Sequence, residues 1–194
     1  MNPTVMIDEA VSPLSRWENF YVIIGSSAGA LTGLQFVVMT LIDQARAVRS
    51  MAEIRAFGTP TVVHFCGALL ISAVMSAPWD NLRAAGIALV ISGVAGTLYA
   101  IQVIRHARRT ADYQPEIADW IWFVELPLAS YIALIVAAEL LVPHPTLALF
   151  LVAGVTLLLL FVGIHNAWDT VTYVAITKSG ERRQEEQGRD PDRS

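Results

Sequence analysis

The sequence predicts an all-α, polytopic membrane protein: a bundle of five transmembrane helices with its N-terminus outside and its C-terminus in the cytoplasm. Three observations predict it. Of the 194 residues, 55% are hydrophobic and only 15% charged, against roughly 45–50% and about 25% in soluble domains. The charges crowd into connectors and the C-terminal tail, leaving long stretches nearly free of them. The connectors also alternate between arginine-bearing and arginine-poor, as the loops on opposite sides of a membrane do.

A helix that crosses a hydrocarbon core of about 30 Å needs roughly 20 mainly apolar residues. Five segments meet that length. The first runs over residues 20–42. The second runs over 60–79 and opens on Pro60, where a missing N–H costs no helical hydrogen bond. The third spans 84–104 and the fourth 120–142. The fifth spans 146–168, with a helical extension to 177 that exceeds one bilayer thickness and so requires tilt or projection into the cytoplasm.

Connector chemistry sets these limits. Residues 77–81, Ala-Pro-Trp-Asp-Asn, and 143–145, Pro-His-Pro, are built from helix-ending residues and close tight hairpins. The connectors 43–59 and 105–119 are longer and polar. In the first of these, Val48, Met51, Ile54 and Phe57 recur beside Arg46, Arg49 and Arg55. That pattern fits a short amphipathic helix on the inner surface or a continuation of the first span about as well as it fits an ordinary helical connector. Residues 1–16 form a short extracytoplasmic segment, 17–177 the transmembrane domain, and 178–194, with almost no apolar residue, a disordered cytoplasmic tail.

Orientation follows from the bias of Lys and Arg toward cytoplasmic loops. With the N-terminus outside, the cytoplasmic side receives Arg46, Arg49, Arg55, Arg105, Arg108 and Arg109 from the two long connectors. The tail adds Lys178, Arg182, Arg183, Arg189 and Arg193. Only Arg16 and Arg83 of the 13 basic residues are left outside. Adding or removing one span would put a basic connector beside a basic-poor hairpin. Trp17, Tyr21, Trp79, Trp120, Trp122, Trp168 and Tyr173 fall near span ends, as an aromatic interface belt would. Helical spans rather than barrel strands indicate a plasma or inner membrane.

Other function classes lose ground on the same residues. A net charge of −4 gives no basic surface for nucleic acid. The N-terminus carries Asp8 and Glu9 and no basic residue before Arg16, unlike the n-region of a signal peptide, and Asn2 replaces the glycine that myristoylation needs. The one cysteine, Cys66, lies in an apolar run and reads as a small buried hydrophobe. HExxH, a Gly-rich phosphate loop, CxxC and GxSxG are all absent from the sequence, so no enzyme is indicated and no cofactor is required.

Two constellations remain. Gly25, Gly29 and Gly33 share a face of the first helix, where small residues let another backbone approach closely; this predicts helix packing in the chain or a homo-oligomer through that face. The second constellation is a layer. By topology the early part of helices two and four and the late part of one, three and five share the inner leaflet. His64, Glu125, Gln35, Gln102, His165, Asn166 and Asp169 all fall in that zone, so every helix contributes a polar side chain.

Ionisable residues inside a span cost about 2.5–3.5 kcal/mol on insertion scales and usually face a partner or a water-filled cavity. Glu125, followed by Pro127, is therefore the leading candidate for an ion- or proton-binding group. His165 and Asp169, four apart, can share a face. Three functions fit this layer. It suits a small channel or transporter, or a subunit of one. It suits a non-catalytic scaffold or accessory subunit. It also suits a membrane metal- or haem-binding protein that uses His64 and His165.

Overall fold

The computed structural model describes residues 13–44, 51–109 and 120–189, and the surroundings of the side chains for 13–40, 59–105 and 120–172. A 3-10 turn over Pro13–Trp17 leads into α1 (Glu18–Gln44), followed by α2 (Met51–Ser76) and α3 (Leu82–Arg109). A π-helical turn over Ile121–Glu125 runs directly into α4 (Leu126–Leu140), and α5 (Pro145–Arg189) completes the bundle. Five stretches are long and apolar enough to cross a membrane: Pro13–Thr40, Thr59–Ser76, Leu82–Arg105, Ile121–Leu140 and Pro145–Thr172. Among the described residues the chain thus forms the expected all-helical bundle, with five helices long and apolar enough to cross a membrane.

Local chemistry explains the helix ends. Beyond Ser76, the Trp79 N–H donates to the Ala77 carbonyl (2.9 Å), and the Trp79 indole N–H donates to the Val74 carbonyl (2.6 Å). The free carbonyls that end α2 are thereby occupied across Pro78. The Asn81 side-chain oxygen accepts from the Ala84 N–H (2.9 Å) and caps α3, the usual office of asparagine at this position. At the other hairpin His144 N–H donates to the Leu140 carbonyl (2.8 Å), and the His144 carbonyl accepts the first bond of α5 from Ala148 (3.0 Å). Pro145 stands first in that helix, where it gives up no bond.

Three expectations are corrected here. Pro60 is not at the start of its helix: α2 begins at Met51 and carries Pro60 in its interior, so residue 56 loses its helical N–H donor. Met51, Ile54 and Phe57 belong to that same helix rather than to a separate surface element, whereas Val48 lies outside the described residues. Third, α5 continues to Arg189, past the expected start of a disordered tail at 178. Glu, Gln and Arg dominate residues 181–187 and are strong helix formers, so a polar segment fused to a long helix prolongs it.

The helices pack in a connected order. The most extensive contacts are α1 on α2, α2 on α5, α5 on α4 and α4 on α3, with smaller ones between α2 and α3 and between α1 and α5. The centre is thus the pair α2 and α5, and α5 is the most buried span, 56% of its most apolar stretch lying inside the bundle against 22% for α1 and for α3. Large apolar side chains cover the outside, Ile23, Phe36, Ile91, Leu98 and Phe161 among them. Such a surface suits lipid and would be a liability in water.

The close approaches are made by glycines other than those expected. A Cβ on Gly25 would lie 3.0 Å from that of Ser72, but one on Gly29 or Gly33 would meet nothing within 4 Å. The α1 register therefore contributes one contact to the chain's own packing instead of three. A Cβ on Gly93 would lie 2.6 Å from Ile135, one on Gly96 would overlap the ring of Tyr131, and one on Gly163 would strike the ring of Phe65. These three seat α3 on α4 and α5 on α2. Gly96→Ala should consequently lower stability by about 1–3 kcal/mol through overpacking, while Gly33→Ala should leave the monomer unchanged; thermal unfolding of the two variants in detergent measures both.

Candidate functional site

The register of the close contacts fixes the depth of each polar residue. Gly25 of α1 lies opposite Ser72 of α2. The chains run antiparallel, so ten residues on, Gln35 is level with Val62. Phe65 of α2 lies against Gly163 of α5, which puts Val62 level with Asn166. Tyr131 of α4 lies against both Gly67 of α2 and Gly96 of α3. Counting six residues toward the arginine-bearing end from each, Glu125 is level with Thr61 and with Gln102. Gln35, Thr61, Gln102, Glu125 and Asn166 thus occupy one layer, with His64 and His165 within about one helical turn of it.

Depth is shared, but orientation divides the group. Gln35, Thr61, His64 and Asn166 turn inward and are buried, all at 3% exposure or less. Glu125 and Gln102 turn outward and are exposed. His165 and Asp169 lie between these cases at 34% and 44% side-chain exposure, joined Nε2 to Oδ2 at 3.0 Å. The His165 ring also stacks on Trp122 at 3.8 Å between centroids and 23° between planes. The four-residue spacing on α5 thus forms the pair it suggests, on the α4 side of the helix. Glu125, the leading candidate by sequence, does not join the inward set.

Within the inward set, three of the four side chains carry polar atoms that have no partner among the described residues. Gln35 Nε2, both ring nitrogens of His64, and both side-chain atoms Nδ2 and Oδ1 of Asn166 are buried without a hydrogen-bond partner, as are the hydroxyls of Tyr21, Ser72 and Tyr131. The contrast with the other hydroxyl side chains is physical. Thr32, Thr97, Ser130, Thr156 and Thr170 each donate to the carbonyl four residues earlier, at 2.7–2.8 Å, a bond their own helix always offers. His, Asn and Gln have no such local outlet of comparable geometry. The His64 ring lies 6.4 Å from that of Tyr131, tilted by 41°, so the imidazole and the phenol adjoin without bonding.

The two histidines are not brought together. Gly163 faces α2, and His165, two residues on, is turned about 200° from it around α5. His64 is inside the bundle on α2. Among the described residues no group of three or more His, Cys, Asp or Glu side chains is placed to hold a metal. Two further positions depart from expectation. Cys66 is exposed instead of buried, and Tyr21, expected in an interface belt, is among the most buried side chains. Tyr21 closes an aromatic cluster in which Trp17 meets Phe20 and, across the bundle, Phe150 of α5 at 4.8 Å.

A groove of about 230 Å³ between α1 and α5 adjoins the layer, lined by Leu34, Gln35, Phe65, Ile164 and Trp168 among others. Sequence reasoning did not find it, because it depends on the pairing of the first helix with the last. Tyr131 was also missed: its only signal is a tyrosine in the middle of an apolar span, and its glycine partners lie on two other helices.

The class defined by this arrangement is a multi-pass helical bundle suited to a membrane, with a buried polar layer across its span. Set against protein-family models, curated proteins and solved structures, the chain matches none of them.

The burial pattern has a chemical consequence. A histidine-modifying reagent applied to the folded protein should label His144 and His165 first and leave His64 unmodified until the bundle is unfolded; peptide mass spectrometry before and after denaturation reads the difference.

Proposed function

We propose that this chain is a small channel or transporter, or a subunit of one, whose polar layer binds a proton, a small ion or a small polar solute. The reading takes the N-terminus as outside and the arginine-bearing end as cytoplasmic, in a plasma or inner membrane, so that the layer lies in the inner leaflet. One observation carries it: Gln35, His64 and Asn166, from three helices, bring buried polar atoms without partners to one depth. A buried polar group left unpaired costs about 1–3 kcal/mol. Residues that burden a fold in this way are characteristic of sites where binding, rather than packing, is the use of the side chain. The mobile species supplies the missing partner on its way through.

Glu125 takes a different part in this reading from the one its sequence suggests. As an exposed carboxylate it does not line the interior of a single chain. It favours a second reading, an accessory or scaffold role, in which an outward acid at span depth meets another protein. A shared metal or haem between His64 and His165 has the least support, since the two imidazoles face different neighbours.

The test separates binding from packing. His64→Leu and Asn166→Leu replace an unpaired polar side chain by an apolar one of similar size, so each should raise the unfolding temperature in detergent while reducing proton or ion flux in liposomes at least about tenfold. That size of loss corresponds to roughly 1.4 kcal/mol of lost interaction with the moving species. Wild-type liposomes without flux, or variants with unchanged flux, remove the reading.

A further inference from the structure

The faces that α3 and α4 turn outward carry opposite charges at the same end of the bundle. On α3, Arg105 is exposed and continues an exposed aliphatic stripe that includes Ile87, Ile91 and Leu98. At the start of the fourth span, Glu125, the last residue of the π-helical turn, is exposed and continues a stripe through Ile132 and Val136 of α4. Neither charge has an ion-pair or hydrogen-bond partner among the described residues. Glu125 is level with Gln102, and Arg105 lies three residues, about 4.5 Å, nearer the arginine-bearing end.

Side chains on a helix lean toward its N-terminus. The helix holding Glu125 begins at the arginine-bearing end, so the carboxylate leans that way. α3 begins at the hairpin end, so the guanidinium of Arg105 leans toward the middle of the span. The two heads therefore approach one depth from opposite sides. Their helices are adjacent in the chain, yet both groups look outward and do not join. A second chain, turned by a two-fold axis along the membrane normal, offers Arg105 to Glu125 and Glu125 to Arg105 in the same contact.

We propose that two copies of this chain associate through the edge formed by α3 and α4, with Glu125 of each copy paired to the partner's Arg105. An isologous contact of this kind makes every pair twice. It also removes a carboxylate from lipid, where exposure is costly, and matches an Arg to a carboxylate, the pairing with the best hydrogen-bond geometry. The inference is independent of what the polar layer binds: failure of flux leaves it standing, and failure of association leaves the layer intact.

The experiment uses full-length chains in liposomes, labelled at the C-terminus with donor or acceptor, and reads energy transfer between copies. Wild type transfers. Glu125→Arg alone puts arginine opposite arginine, and Arg105→Glu alone puts glutamate opposite glutamate; each should lose roughly tenfold or more of the association. Mixed one to one, the two variants form opposite-charge pairs at both positions of a heterodimer, and transfer returns. Pairing within one chain cannot give that recovery, and recovery also shows that both variants fold. Three results overturn the proposal: no transfer in wild type, full transfer in each single variant, or no recovery in the mixture. A loss seen with Gly33→Leu, but with neither charge variant, overturns it in favour of contact through the α1 glycine face.

Discussion

A polar atom held in hydrocarbon must find its partner inside the protein, and that one constraint orders the rest of this structure. The backbone meets it by forming helices throughout the spans, since each helix closes its own hydrogen bonds. The connectors meet it by capping: Trp79 and Asn81 at one hairpin and His144 at the other occupy groups that the helix ends leave free. Threonine and serine meet it by bonding one turn back. What is left over among the described residues after these solutions is a short set of buried polar side chains, of which the hydroxyls of Tyr21, Ser72 and Tyr131 lie at other depths. Gln35, His64 and Asn166 gather at one depth around the α2–α5 pair, which makes the layer a property of the fold rather than of any one helix.

Tyr131 connects that layer to the packing. Its ring fills the space that Gly96 leaves on α3, its hydroxyl lies over Gly67 of α2, and the His64 ring lies 6.4 Å away. Three helices thus meet around one aromatic side chain whose hydroxyl has no partner among the described residues. Interiors are packed at close to crystal density, so a shift at such a point is passed to its neighbours. The imidazole of His64 and the seat of α3 thus share one neighbour, the Tyr131 ring.

Much of the fold was legible in the residues. Segment length and the arginine-rich connectors mark five spans, and Pro-His-Pro and the segment around Asn81 mark the hairpins, because these features act locally and need no knowledge of neighbours. Depth was legible too: helical rise alone puts Gln35, Gln102, Glu125 and Asn166 in one layer. Orientation was not, since which face of a helix turns inward depends on its partners. That is why Glu125 is found outside and Asn166 inside although both are polar residues of a span. The glycines show the same limit. Gly25, Gly29 and Gly33 form an evident four-residue register, yet closeness is set by what lies opposite, and opposite Gly96 there happens to be a tyrosine. Pro60 misleads for a related reason: a proline marks a helix start only when nothing upstream holds the helix together, and residues 51–59 are helical.

The turn over Ile121–Glu125 closes with a bond from the Leu126 N–H to the Ile121 carbonyl, five residues back instead of four. Such a turn is an ordinary helix that has accommodated one additional residue, so the side chains at its start are offset by about 100° from where an uninterrupted helix would put them. Trp122 sits within that turn and the His165 ring is stacked against it. The fourth span thus makes two separate contacts: its α-helical part is seated on α3 through Tyr131, and its π-helical turn meets α5 through the Trp122 indole. Shortening the turn by one amino acid would leave α4 seated on α3 and swing the indole off its imidazole, so the extra residue sets the register of the one contact without touching the other.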